Sequence, residues 1–203
     1  MNRLLIIFAK NPELGKTKTR LAKTLGDEVA LAVYFKLINR LQEVTARLSV
    51  DRAVYYSSFI DKEDSWDNAV YGKQCQKGNS LGDKMHNAIQ EGLDKGYQEV
   101  VLVGTDIYSL TNSIIMDGFQ KLSSSDVVIG PAVDGGYYLI GMKKPHQSIF
   151  RLDEWSHSQV FSETLELLKE AKLSFSETVI LNDIDEEADL EGTDLELLIK
   201  KSF

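Results

Sequence analysis

The sequence predicts an α/β fold with a mostly parallel central sheet, on three observations. Residues 4–9, LLIIFA, and 99–104, EVVLVG, are apolar runs of strand length with little alternation, the pattern of strands buried on both faces. Helical periodicity follows each of them, as βαβ units require. Residues 126–133, DVVIGPAV, and 136–142, GYYLIGM, are joined by little more than Asp134-Gly135-Gly136, so here a tight turn links two antiparallel strands.

The remaining elements follow from spacing. Leu21, Leu25, Val29, Val33, Leu37 and Leu41 recur at helical intervals between Thr17 and Leu48, with a break at Gly26. Residues 51–58 and 69–76 read as the second and third strands, separated by the polar, irregular FIDKEDSWDN. The segment 81–96 carries Leu81, Met85, Ala88, Ile89 and Leu93 on one helical face and closes at Gly96. Helices are expected near 111–122, 159–171 and 187–200, with a last strand at 175–181. The arrangement is a Rossmann-like nucleotide-binding half with an appended mixed region, and residues 1–203 are expected to form one domain.

Composition narrows the function. With 43% hydrophobic and 27% charged residues the chain reads as soluble and globular, and no apolar run reaches the roughly 18 residues of a membrane span. The expected location is the cytoplasm. Cys75, the single cysteine, excludes an internal disulfide and is expected to be a buried thiol. A net charge of −8 argues against nonspecific nucleic-acid binding. The charge is unevenly placed. Residues 9–23 hold Lys10, Lys16, Lys18, Arg20 and Lys23 against Glu13 alone, whereas residues 173–199 hold nine acids and no lysine or arginine. A basic island in an acidic protein suits a small anionic ligand, or else a solvated helix face.

That island contains Gly15-Lys16-Thr17, the tail of a phosphate-binding P-loop. The full motif needs a glycine where Lys10 stands, and Pro12 removes an amide from the cradle, which argues against a P-loop. Ligands of open α/β sheets bind beyond the carboxyl ends of the strands, and three segments lie there. The loop after strand one leads into a helix expected to open at Thr17, whose amides and dipole favour an anion. Lys10, Lys18 and Arg20 can reach the same anion, Arg20 bidentately. Asp106 directly follows the strand EVVLVG, either as a cap of the next helix or as a hard oxygen ligand for Mg²⁺ or Mn²⁺. Asp183 and Asp185 share a face of an extended loop, and one of them can complete a metal site; the following acids suit a helix N-terminus.

The segments FAKNPELGKTKTRLA, LGDKMHNA, LVGTDIYSL, GPAVDGGYYLIGM and NDIDEEADL, in this order over nearly the whole chain, resemble the bacterial glycosyltransferase-like family of the nucleotide-diphospho-sugar transferase superfamily associated with radical-SAM genes. The chain resembles more distantly the phospholactate and molybdopterin guanylyltransferases. The resemblance implies the GT-A fold, a three-layer sandwich, with a nucleotide held by the first loop through Ala9, Lys10, Gly15, Lys18 and Arg20 and a divalent metal at Asp106, completed by Asp185. It places Asp134, Gly135, Gly136 and Tyr137 beside the transferred sugar or acceptor, with Trp155, Ser156 and His157 on the acceptor side. Asp106, Asp134 and Arg20 are the expected catalytic residues. Two departures stand out: Ile107-Tyr108 replaces an Asp-x-Pro turn, and DIDEEADL lacks the Thr-Pro of relatives.

The leading expectation is thus a metal-dependent transferase using a nucleotide-activated sugar and an unidentified small-molecule acceptor. The alternatives are nucleotidyl transfer from an NTP to a phosphorylated small molecule, and a non-catalytic nucleotide-binding module, which the two departures would suit.

Overall fold

The computed structural model describes residues 2–200. Its centre is a seven-stranded sheet in the order β3-β2-β1-β4-β6-β5-β7. The strands are β1 (Arg3–Ala9), β2 (Asp51–Tyr56), β3 (Tyr71–Cys75), β4 (Glu99–Gly104), β5 (Val127–Pro131), β6 (Tyr137–Met142) and β7 (Phe175–Glu177). Pairing is parallel from β3 through β4, and β6 alone runs against its neighbours β4 and β5. The GT-A expectation, a mostly parallel sheet with an antiparallel part, is borne out.

Alternate residues of each strand point to opposite faces, and each face is covered. Leu5 and Ile7 of β1 pack with Tyr34, Ile38 and Leu41 of α2 (Asp27–Thr45) and with Ile115 and Phe119 of α4 (Asn112–Lys121). Leu4 and Ile6 face Met85, Ala88 and Ile89 of α3 (Leu81–Asp94) and Leu168 of α5 (Val160–Glu170). A smaller cluster joins Leu21 of α1 (Thr19–Leu25) and Val33 and Leu37 of α2 to Ile184, Leu190 and Leu195, tying the acidic C-terminal stretch to the basic island. No helix among the described residues is long and apolar enough to cross a membrane.

Several expectations need correction. The last strand ends at Glu177, because Pro131 at its partner's end has no amide to continue a ladder and β5 is irregular at Gly130/Pro131. The chain rejoins β5 only at the isolated Ala132–Leu181 bridge. The final helix is broken into a 3-10 turn, Glu187–Leu190, and a short α6, Glu196–Lys200, with Gly192 at positive φ between them. Helix α1 starts at Thr19, two residues later than expected, and Cys75 is half-buried instead of buried.

Candidate functional site

The carboxyl ends of β1 and β4 open on a cleft of about 590 Å³ lined by the cations Lys10, Lys18 and Arg20 and the carboxylates Asp106, Asp134 and Asp185. Gly136, Trp155 and His157 also line it.

The basic wall is built by a loop that the rest of the fold holds in place. The Tyr34 hydroxyl accepts from the Lys10 amide (2.8 Å) and donates to the Lys10 carbonyl (3.0 Å). Burial raises the Tyr34 pKa, so it stays a neutral donor and acceptor at physiological pH. Asn11 is buried and ties the loop to the end of β2: its amide donates to the Ser57 hydroxyl, its side-chain nitrogen to the Phe59 carbonyl, and its side-chain oxygen accepts from the Ser58 and Phe59 amides. Neither Tyr34 nor Asn11 was marked by the sequence. A tyrosine inside a helical stripe reads as core, and an asparagine before a proline reads as a turn.

Lys18 is the pivot of the site. It precedes α1 in the left-handed region (φ 51°), which costs a non-glycine residue on the order of 1 kcal/mol. This conformation turns its side chain inward, where 4% of it is exposed and the ammonium lies 2.6 Å from Asp106 Oδ1 and 3.1 Å from Asp185 Oδ1. Burial is the largest influence on Lys18 and would lower its pKa, but the charges of Asp106 and Asp185 together outweigh it and hold the pKa above its ordinary value. Arg20, mostly exposed, reaches Asp185 Oδ2 at 3.2 Å.

The acidic wall is assembled by the backbone. The Ile184 amide donates to the Asp106 carbonyl (2.9 Å), which sets Asp183 and Asp185 against the end of β4. The turn carrying Asp185 is closed by Asp189, whose carboxylate accepts from the amides of Asp185 and Glu186 and from Asn182 Nδ2. This does the work of the absent Thr-Pro. The missing proline after Asp106 is likewise replaced: Ile107 is buried in the core, and the Arg40 guanidinium lies 4.3 Å over the Tyr108 ring while its Nε donates to the Tyr108 carbonyl. Helix α4 is capped by Thr111, whose hydroxyl accepts from the Ile114 amide, so Asp106 is not its cap.

Asp183 is the perturbed acid of the site. Burial first, then the charges of Asp134 and Asp185, push its pKa up to about 6. A carboxyl raised in the fold stabilises below the unfolded value of 3.8 and loses that contribution as pH rises through about 6. Asp183→Asn is therefore expected to raise the melting temperature at pH 8 in chelator and to leave it nearly unchanged at pH 3.5. An equal effect at both pH values would contradict this charge balance.

The site expectations are gathered unevenly. Lys10, Lys18, Arg20, Asp106, Asp134, Gly136, Trp155 and Asp185 share the cleft. Ala9 and Tyr137 line an adjoining cavity. Gly15 and Gly135 line neither; Gly135 instead receives the Phe161 amide on its carbonyl and holds the first turn of α5. His157 lines the cleft with Nδ1 accepting from the Gln159 amide and Nε2 3.7 Å from Glu163.

Asp106 and Asp185 are the residues that could hold a divalent cation. Among the described residues no group of three or more His, Cys, Asp or Glu side chains is assembled as a metal site. Asp106 and Asp185 do converge on one cation, the Lys18 ammonium, and they offer hard oxygen atoms only. Mg²⁺ and Mn²⁺ bind at such pairs when phosphates and water supply the remaining ligands.

An open sheet of this order, with one antiparallel strand and a polar cleft at the ends of β1 and β4, defines the nucleotide-diphospho-sugar transferase fold. A candidate nucleotide-diphospho-sugar transferase from Desulfovibrio desulfuricans G20 superposes with a TM-score of 0.86 at 28% identity, over 100% of this chain and 96% of that one. The chain belongs to the family described as uncharacterized proteins conserved in bacteria (DUF2064), whose model matches residues 40–157. Two further structures share the fold. The inositol-1-phosphate CTP transferase of T. maritima aligns at 15% identity and TM-score 0.56, over 98% of this chain and 97% of that one. The CMP:2-keto-3-deoxy-manno-octonic acid synthetase in complex with CTP aligns at 11% and 0.55, with both chains fully covered. No curated protein is significantly similar in sequence. The neighbours named by activity are transferases, in line with the expectation of an enzyme.

Proposed function

We propose that the protein is a transferase that binds a nucleotide-activated sugar at this cleft and passes the sugar to a small acceptor. The observation that carries the reading is the meeting of Lys10, Lys18 and Arg20 with Asp106, Asp134 and Asp185 at the ends of β1 and β4. The adjoining cavity of about 420 Å³, lined by Phe8, Ala9, Ser57 and Gln76 among others, suits the nucleoside. Lys10 and Arg20 reach the diphosphate from the exposed rim, and Lys18 supplies a buried cation beside it. Fixed positive groups at a leaving diphosphate stabilise the charge that develops there, the electrostatic term such transfer most needs. Mg²⁺ or Mn²⁺, held by Asp106 and Asp185, would add neutralising charge to the same oxygens. Asp134, whose Oδ1 is fixed by the Gly136 amide (2.8 Å), is placed to accept from a sugar hydroxyl.

Nucleotidyl transfer is the second reading, favoured by the fold shared with CTP-using enzymes. Products separate the two: nucleoside diphosphate marks glycosyl transfer, and pyrophosphate marks nucleotidyl transfer. The binding step is tested by Arg20→Ala. Loss of a charge-assisted contact of roughly 1.5–3 kcal/mol should weaken nucleoside diphosphate binding tenfold or more in calorimetry. An unchanged affinity would remove the basic island from the donor site.

A further inference from the structure

Adjoining the cleft, and sharing Asp106, Asp134, Gly136, Trp155 and Asp185 with it, is a second cavity of about 250 Å³. That is below the range of roughly 300–1,000 Å³ typical of drug-sized ligands, and of a size for a single ring. Its wall contains Asp106, Asp134, Asp183 and Asp185 and no lysine, arginine or histidine. Asp106 and Asp185 are already paired with Lys18 and Arg20 on the side of the first cleft. Among the described residues Asp134 and Asp183 have no ion-pair partner.

The rest of the lining is mostly apolar. Tyr137 and Trp155 meet edge to face, with centroids 6.3 Å apart and planes at 79°, and Leu81, Met85 and Val160 are among the residues beside them. Trp155 is seated through Gly82 at the start of α3: a Cβ there would lie 2.5 Å from Trp155 Cζ2 and 2.3 Å from the Phe150 carbonyl oxygen. A cavity lined by both carboxylates and aromatic carbon matches a ring that has hydroxyls or an amine on its edge and C–H groups on its face. An anionic substituent would meet Asp134 and Asp183, the two carboxylates of this wall that have no ion pair among the described residues.

Resting on the reading of the cleft as a sugar-transfer site, we propose that this cavity receives a neutral or amino-bearing polyol ring and rejects a sugar acid. The ring can arrive free, as the acceptor, or attached to the nucleotide, as the transferred group. The chemistry required of it is the same.

Two arms of one experiment test this, read by quenching of Trp155 fluorescence, with Trp155→Phe confirming the source of the signal. In the first, free glucose, glucosamine and glucuronate are titrated; in the second, UDP-glucose is compared with UDP-glucuronate, and GDP-mannose with its uronate. A preference of about tenfold or more for the neutral or amino form, in either arm, is expected from like-charge exclusion. Binding in the first arm identifies an acceptor ring, and in the second alone a donor ring. Asp183→Asn or Asp134→Asn should narrow the preference at least threefold. Equal or tighter binding of the uronates overturns the proposal, as do absence of saturable binding in both arms and a preference that neither variant changes. Nucleoside diphosphate affinity, measured on the same preparations, separates the two claims: its absence defeats the sugar-transfer reading, whereas uronate binding beside intact nucleotide binding defeats only the ring assignment.

Discussion

Lys18→Met is expected to lower the stability of the protein by about 2 kcal/mol, a fall of roughly 4–8 °C in melting temperature for a chain of this size. The methionine keeps the length and apolar stem of the side chain and deletes the charge. Asp106 and Asp185 then face each other with no ammonium between them, at 45% and 33% side-chain exposure. Removing one partner of a fully buried pair costs about 3–5 kcal/mol, and the water still reaching these carboxylates places the expected loss below that range. The double variant Lys18→Met/Asp106→Asn should recover part of the loss, because Asp106 is the carboxylate left without a partner, whereas Asp185 keeps Arg20. Thermal unfolding of the single and double variants at low salt checks both statements. A Lys18→Met protein as stable as the wild type would show that the bridge contributes nothing.

Gly135→Ala is expected to cost about 3 kcal/mol or more and to displace the part of the cleft formed by Trp155 and His157. Gly135 adopts φ 89°, outside what an alanine accepts easily, and a Cβ would lie 2.0 Å from the Ser158 carbonyl oxygen and 2.8 Å from its Cα. Backbone on the far side cannot rotate away as a side-chain end can. Residues 155–159 would have to move, carrying Trp155 and His157 with them. Gly104→Ala is the control, since a Cβ there meets nothing within 4 Å, and it should change stability by no more than about 0.5 kcal/mol. Urea unfolding compares the two, and similar losses would contradict the packing argument.

Much of this architecture was legible in the sequence. The buried strands, their order along the chain and the antiparallel turn at 134–136 follow from local apolar patterning, and the covered sheet realises that pattern directly. The lysines of the cleft and Asp106 were legible because charge at the carboxyl end of a buried strand has few structural uses. The bridge that unites them was not. Lys18 and Asp185 lie 167 positions apart, and their contact depends on a left-handed backbone at a lysine, which no local propensity predicts. What stands in place of the two missing prolines was not legible for a related reason. Their rigidity is supplied by tertiary contacts, Arg40 on Tyr108 and Asp189 on the amides after Asn182, and such substitutes have no signature along the chain. The final helix failed on composition: its apolar spacing is helical, but Gly192 interrupts it.

The central claim, that nucleotide phosphates and a divalent cation meet at Asp106, is tested most directly by one titration. Nucleoside diphosphate binding is measured for the wild type and Asp106→Asn, with Mn²⁺ and with chelator. Asparagine keeps the shape of the side chain and removes the anion on which hard-cation binding depends. It also releases the Lys18 ammonium from its 2.6 Å partner and leaves it available to phosphate. The wild type should therefore bind more tightly with Mn²⁺ than with chelator. The variant should lose most of that enhancement while its affinity in chelator stays level or improves. An Asp106→Asn protein that keeps the full Mn²⁺ enhancement would contradict the account.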